Sequence, residues 1–272
     1  MAAALISISG ALPVAAELPI MEDKDWLGYF IGVKTNDFRF GVAPDAKTTI
    51  KVTNKKGDTL SSKLTINLVF QIKQTQPDGK VVALKALPET IESPDTPTTK
   101  PKKTVIRGKV KGDAQFEVTI DEARGGILLG GRLLDPGTLP KDSLRFSIEV
   151  RIPNPYEDIK TGPDKKAIKA FEEKIKDDRV QLTYTDKKRS KLSTTESVDA
   201  GSKEINGAGI TAAEVEFSPY LGKKFEFTAS PNSMLTLSSK QPGPLQDGFI
   251  MNWEADATKD PQGAARLSIV IK

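Results

Sequence analysis

The chain has 272 residues, of which 38% are hydrophobic and 28% are charged, a balance that permits a folded core and excludes a disordered chain. Its 40 basic and 36 acidic residues leave a net charge of +4, which excludes a histone-like composition. The chain contains neither cysteine nor histidine, which excludes disulfides, thiolate nucleophiles, Ser-His-Asp triads and histidine-ligated metals. Carboxylate, lysine, tyrosine and serine chemistry therefore remain.

Residues 1–16 are apolar or small throughout, and their length matches the hydrophobic region of a signal peptide rather than a membrane span. Val14 and Ala16 suit the two positions that signal peptidase inspects, which predicts cleavage before Glu17. Because no charged residue precedes Glu17, the alternatives are a start upstream of Met1 or a buried strand. The segment lacks the alternation of a half-buried strand, so we predict export to the periplasm, cell surface or medium, with no membrane span in the mature chain.

Apolar and polar residues alternate from Trp26 onward, as expected for strands that bury one face. The two longest runs are Leu64–Ile72 and Leu144–Ile152. Shorter runs occur at residues 50–52, 116–120, 180–184, 225–227 and 267–271. Turn residues separate the runs, and Pro77-Asp78-Gly79 is predicted to close a hairpin. The pattern predicts a mainly β protein made of antiparallel β-sandwich-like domains.

A proline-rich stretch, residues 88–101, predicts a long exposed loop that leads into a row of cations. Lys103, Arg107, Lys109 and Lys111 lie on one face of a predicted strand, and we call them the basic stripe. A polyanion such as an acidic polysaccharide fits this stripe because each contact releases counterions. The alternative is a solvated edge strand, whose lysines prevent edge-to-edge aggregation. Nucleic acid is disfavoured, because no base-stacking aromatic residues interleave with the stripe.

A second proline-rich segment begins at Pro153, and we place a domain boundary there. Pro163 suits a first helical turn, and four apolar residues follow it at helical spacing, which predicts one amphipathic helix. Those residues are Ala167, Ile168, Phe171 and Ile175. The predicted organisation is a signal peptide (1–16), a first β-sandwich-like domain (25–153), a linker with the helix (154–178) and a second β domain (179–272).

Acidic residues offer the remaining catalytic route, because a carboxylate pair is the basis of most glycoside hydrolysis. Glu254 and Asp256 follow Trp253, and the three form a candidate glycan-contact site. Glu214 and Glu216 share one face of another predicted strand. The alternative interpretation is that these acids line solvent-facing strand faces and that both tryptophans pack in the core.

No catalytic motif stands out in the sequence, and none indicates a cofactor. The letters of Gly207–Ala212 match a dinucleotide-binding pattern, but a strand pattern rather than a helix follows them. We therefore predict an exported, non-catalytic binding or structural module. Its partner is a protein or an envelope or extracellular polymer, bound through sheet surfaces or edge strands. The alternative is a carboxylate-based glycan hydrolase.

Overall fold

The computed structural model describes residues 17–157, 164–240 and 243–272, so the predicted signal peptide and Pro163 lie outside the described residues. Within these ranges the strands are β1 (Ile31–Lys34), β2 (Phe38–Val42), β3 (Thr48–Val52), β4 (Ile66–Thr75), β5 (Val81–Lys85), β6 (Thr104–Lys109), β7 (Gln115–Ala123), β8 (Gly126–Asp135), β9 (Leu144–Ile152), β10 (Arg179–Tyr184), β11 (Arg189–Leu192), β12 (Ile210–Glu216), β13 (Lys224–Ala229), β14 (Ser233–Ser239), β15 (Phe249–Ala255) and β16 (Leu267–Ile271). The α-helices of the described residues are α1 (Lys165–Ile175) and α2 (Lys203–Asn206), and short 3-10 turns occur between several strands. Neither described helix has the length and apolar character needed to cross a membrane.

The strands follow the alternation that predicts them. β9 coincides with the run Leu144–Ile152, and β4 begins two residues after the predicted Leu64. β4 and β5 form the predicted hairpin, in which Gly79 adopts a φ of +83° that side chains other than glycine rarely tolerate. The mainly β class is therefore confirmed.

Hydrogen bonding joins all sixteen described strands into one strongly curled antiparallel sheet, a half-barrel. Its main path runs β1-β2-β3-β4-β9-β15-β14-β12-β13-β16-β8-β7-β6, with β5 paired to β4 and with β10 and β11 attached at β12. β9 pairs with β15 and β8 pairs with β16, so the sheet crosses the predicted domain boundary twice. The prediction of two separate sandwiches is not confirmed, because strands from the second half of the chain lie between two groups of strands from the first half.

The proline-rich stretch at residues 88–101 forms a strap between the two ends of the curled sheet. Glu92 exchanges backbone hydrogen bonds with Arg107 of β6, and Thr98 does so with Phe30 and Gly32 beside and within β1. Ile91 of the strap is only 1% exposed. Most residues of the predicted exposed loop are exposed, but the loop also satisfies backbone groups that the sheet edges would otherwise leave unpaired.

Both tryptophans are buried, as the alternative interpretation of the sequence predicts, but they occupy different environments. Trp253 is 0% exposed and belongs to the main hydrophobic core inside the curl. Trp26 packs outside that core, against the backbone of Gly32, where a Cβ would lie 2.1 Å from the indole ring. The guanidinium of Arg39 lies 4.5 Å from the centroid of the Trp26 ring. This cation-π contact helps to hold the segment before β1 against the outside of the sheet.

The predicted amphipathic helix is present as α1, which Asp164 caps by accepting a hydrogen bond from the Lys166 N–H. A cluster of hydrogen bonds joins the chain segments before and after this helix. The Tyr156 hydroxyl donates to Asp178, and Asp178 also accepts from the backbone N–H and the hydroxyl of Ser218. The short α2 is a second helix, so the prediction of a single helix is not confirmed.

Candidate functional site

Arg107 and Lys109 of the basic stripe lie on the more accessible face of β6, and Lys103 and Lys111 lie in the segments that flank this strand. Arg107 and Lys111 are exposed, and Lys109 is half-buried. Lys103 precedes β6 with a φ of +50°, and its backbone N–H donates to the Asp121 carboxylate. The structure thus places the stripe on the outward surface of the sheet.

Acidic side chains on neighbouring strands compensate part of this positive charge. The guanidinium of Arg107 lies 3.0 Å from a carboxylate oxygen of Glu117 on β7. Glu117 also accepts from Arg132 on β8 at 3.3 Å. The polyanion site stays a prediction, and its electrostatic attraction is weaker than the four cations alone indicate.

The candidate glycan-contact residues lie on β15 and the turn that follows it, and they face different surroundings. Trp253 points into the core, because alternate residues of a strand face opposite sides, and it presents no surface to a sugar. Glu254 points outward, where Lys73 and Asn252 donate hydrogen bonds to its carboxylate at 2.6 and 2.9 Å. The structure therefore does not assemble Trp253 with the two acids into one surface.

The candidate catalytic acids all have hydrogen-bonding or ionic partners, and two of them, Glu214 and Asp256, have a lowered pKa. Hydrogen bonds from the side chain and backbone of Thr258 are among the contacts that lower the pKa of Asp256 to about 2. A hydrogen bond from Lys224 lowers the pKa of Glu214, and Glu216 pairs with Arg179 at 2.7 Å. A general acid for glycoside cleavage needs a raised pKa, so the environments of Glu214 and Asp256 do not favour that role.

A cleft of about 590 Å³ lies between β8 and β9. These two strands follow each other along the chain but are not neighbours in the sheet. The third wall of the cleft is the turn that follows β15. Apolar side chains form most of its lining, among them Leu133, Leu134, Leu144 and Phe146. Leu134 is 39% exposed, an unusual position for a large apolar residue. The volume of the cleft lies within the range of small-molecule sites.

Charged residues form the rim of the cleft. Arg132, Lys141 and Arg145 supply positive charge, and Asp142 and Asp260 supply negative charge. Asp260 is only 8% exposed, and both of its carboxylate oxygens accept backbone N–H groups, from Ala264 and Ala265, at 2.7 Å. Asp260 therefore stabilises its own turn, and it does not project into the cleft as a free anion.

The floor of the cleft is fixed by packing beneath it. Gly131 lines the cleft, and a Cβ at this position would lie 2.2 Å from the Phe146 ring. The Phe146 ring stacks on Phe116 of β7 with 5.8 Å between the ring centroids. Because Phe146 is held between a glycine and a second aromatic ring, the floor is preformed rather than assembled by a ligand.

The sequence does not identify this cleft, because its lining comes from three separate segments. Leu144 and Phe146 follow the same alternation as core residues, so their pattern cannot distinguish a cleft floor from a closed core. One feature of the sequence does indicate an exposed apolar position in this region. Leu133 and Leu134 are adjacent leucines, whereas strict alternation would place a polar residue at one of the two positions.

Comparisons with known proteins give little information on function. No family model matches the chain, and no curated protein matches it. Among solved structures, the Slr1438 protein from Synechocystis sp. PCC 6803 resembles it with a TM-score of 0.45 and 12% sequence identity, over 99% of this chain and 99% of that chain. At this TM-score the likeness supports no argument about fold or function.

Proposed function

We propose that the chain is a non-catalytic binding module and that the cleft between β8 and β9 is its binding site. The observation that carries this proposal is the preformed, mainly apolar cleft of about 590 Å³, lined by the partly exposed Leu134 and bordered by a few charged groups. The environments of Glu214, Glu216, Glu254 and Asp256 support a binding role over catalysis, because each carboxylate already has hydrogen-bonding or ionic partners.

We also propose that the chain is exported to the periplasm, the cell surface or the medium. The support for export is the apolar character and length of residues 1–16. A polymer or protein partner that contacts the basic stripe is compatible with a ligand in the cleft. Arg132 lines the cleft and also shares Glu117 with Arg107 of the stripe, so the two surfaces are neighbours.

Filling the cleft should abolish the binding of apolar molecules. The test is a titration with the neutral fluorescent dye Nile red. Leu134→Trp places a larger ring in the cleft, and we expect it to weaken dye binding by at least about tenfold. The matched control is Val81→Trp, because Val81 is also an exposed apolar strand residue, 55% exposed, but lies on β5 outside the cleft lining. If both variants bind the dye as the parent chain does, the cleft is not the binding site.

A further inference from the structure

The cations on the rim of the cleft differ in how they are compensated. Arg132 shares the Glu117 carboxylate with Arg107, and Lys73, next to Arg145 across the β4–β9 pair, is neutralised by Glu254. Lys141 and Arg145 form no ion pair with any residue in the three described ranges. They are therefore the two cationic groups of the cleft that remain available to an external anion.

Arg145 is also oriented before any ligand arrives. One terminal nitrogen of its guanidinium donates to the backbone carbonyls of Asp142 and Leu144, at 3.0 and 2.7 Å. These two bonds fix the plane of the guanidinium at the cleft and leave its remaining N–H groups for a partner. A planar guanidinium with free N–H groups matches the oxygen pair of a carboxylate, sulfate or phosphate.

The acidic groups nearby do not cancel this preference. Asp260 is occupied by backbone N–H groups, and Asp256 is occupied by Thr258 and by Lys259, whose ammonium lies 3.3 Å from its carboxylate. The Asp142 side chain is the one exposed carboxylate that lines the cleft within the described residues. Within the same residues, Lys141 and Arg145 are two cations without an ion pair, compared with one such carboxylate. The uncompensated charge of the rim is therefore positive.

We propose, as an extension of the binding function above and resting on it, that the ligand of the cleft is an amphipathic organic anion. Its apolar body would pack on Leu134, Leu144 and Phe146, and its carboxylate, sulfate or phosphate head would bind Arg145 and Lys141. The apolar floor alone would accept any hydrophobic molecule of suitable size. The fixed Arg145 guanidinium supplies the selectivity for an anionic head.

The experiment measures the displacement of Nile red by three amphiphiles that share one tail and differ in the head: decanoate, decyl glucoside and decylammonium. We expect decanoate to displace the dye at a concentration about tenfold lower than decyl glucoside, and decylammonium to be the weakest. The double variant Lys141→Gln and Arg145→Gln should remove the advantage of decanoate over decyl glucoside. Both positions are exposed, so the variant should retain the fold.

The control is a second double variant, Lys100→Gln and Lys102→Gln, which removes two positive charges from exposed positions outside the cleft lining. It should keep the preference for decanoate. Equal displacement by all three heads, or a preference that both double variants reduce equally, would overturn the anion proposal while the cleft remains a binding site. Dye binding that is insensitive to Leu134→Trp would instead overturn the binding function itself.

Discussion

Trp253→Ala is expected to lower the free energy of unfolding by about 3–5 kcal/mol, the cost of replacing a large buried aromatic side chain by alanine. Trp253 is 0% exposed, and it lies between Ile148 of β9 and Leu235 of β14, its cross-strand partners in the core. Alanine would leave a cavity where the sheet joins strands from the two halves of the chain. Urea denaturation of the parent chain and the variant measures the difference.

Trp253→Phe provides the matched control for that experiment. The indole Nε1 of Trp253 has no hydrogen-bonding partner in the described part of the chain, so phenylalanine keeps an aromatic ring while removing a desolvated donor. We expect a loss of less than about 1.5 kcal/mol. If Trp253→Ala changed stability by less than about 1 kcal/mol, the burial of this side chain would be contradicted, and the glycan-contact hypothesis for Trp253 would reopen.

Alkaline pH is expected to destabilise the fold through two tyrosines. Burial raises the pKa of Tyr220, and burial followed by the hydrogen bond to Asp178 raises the pKa of Tyr156, both well above the ordinary value of 10.0. Above about pH 10 the unfolded chain releases both protons while the folded chain retains them. The stabilisation is therefore complete below about pH 10 and declines as the pH rises, with a slope that increases toward a limit of about 2.7 kcal/mol per pH unit for the two groups.

Tyr220→Phe isolates this effect because the Tyr220 hydroxyl has no hydrogen-bonding partner among the described residues, so the substitution keeps the packing. Stability measured by urea denaturation from about pH 9 to about pH 11.5 should fall less steeply in the variant, by up to about 1.4 kcal/mol per pH unit, the contribution of one tyrosine. Lysines titrate in the same range in both chains, so the difference between the two curves reports the tyrosine. Parallel curves for the parent and the variant would contradict the prediction.

The strands could be predicted from the sequence because each one buries a single face, which its own alternation reveals. β4 and β9 are the best examples. The pairing of β9 with β15 and of β8 with β16 could not be predicted, because alternation is the same whichever strand lies beside it. The predicted boundary after Pro153 followed local composition, which carries no information on partners distant in the sequence.

The candidate sites show the same limit. The sequence placed Lys103, Arg107, Lys109 and Lys111 on one face, but Glu117, which compensates Arg107, belongs to another strand. It also grouped Glu254 and Asp256 with Trp253 by proximity along the chain, although a strand sends adjacent side chains to opposite faces. Sites that depend on several strands require the pairing to be known first.

The position of β16 affects how the protein is made. β16 occupies the place between β8 and β13, although β8 ends at Asp135 and β16 begins only at Leu267. While the chain is synthesised, one edge of β8 therefore stays unpaired until residues 267–271 have been added. Such distant pairing slows folding and exposes intermediates to aggregation. We therefore expect a chain that lacks residues 267–271 to be unable to complete the sheet and to be prone to aggregation.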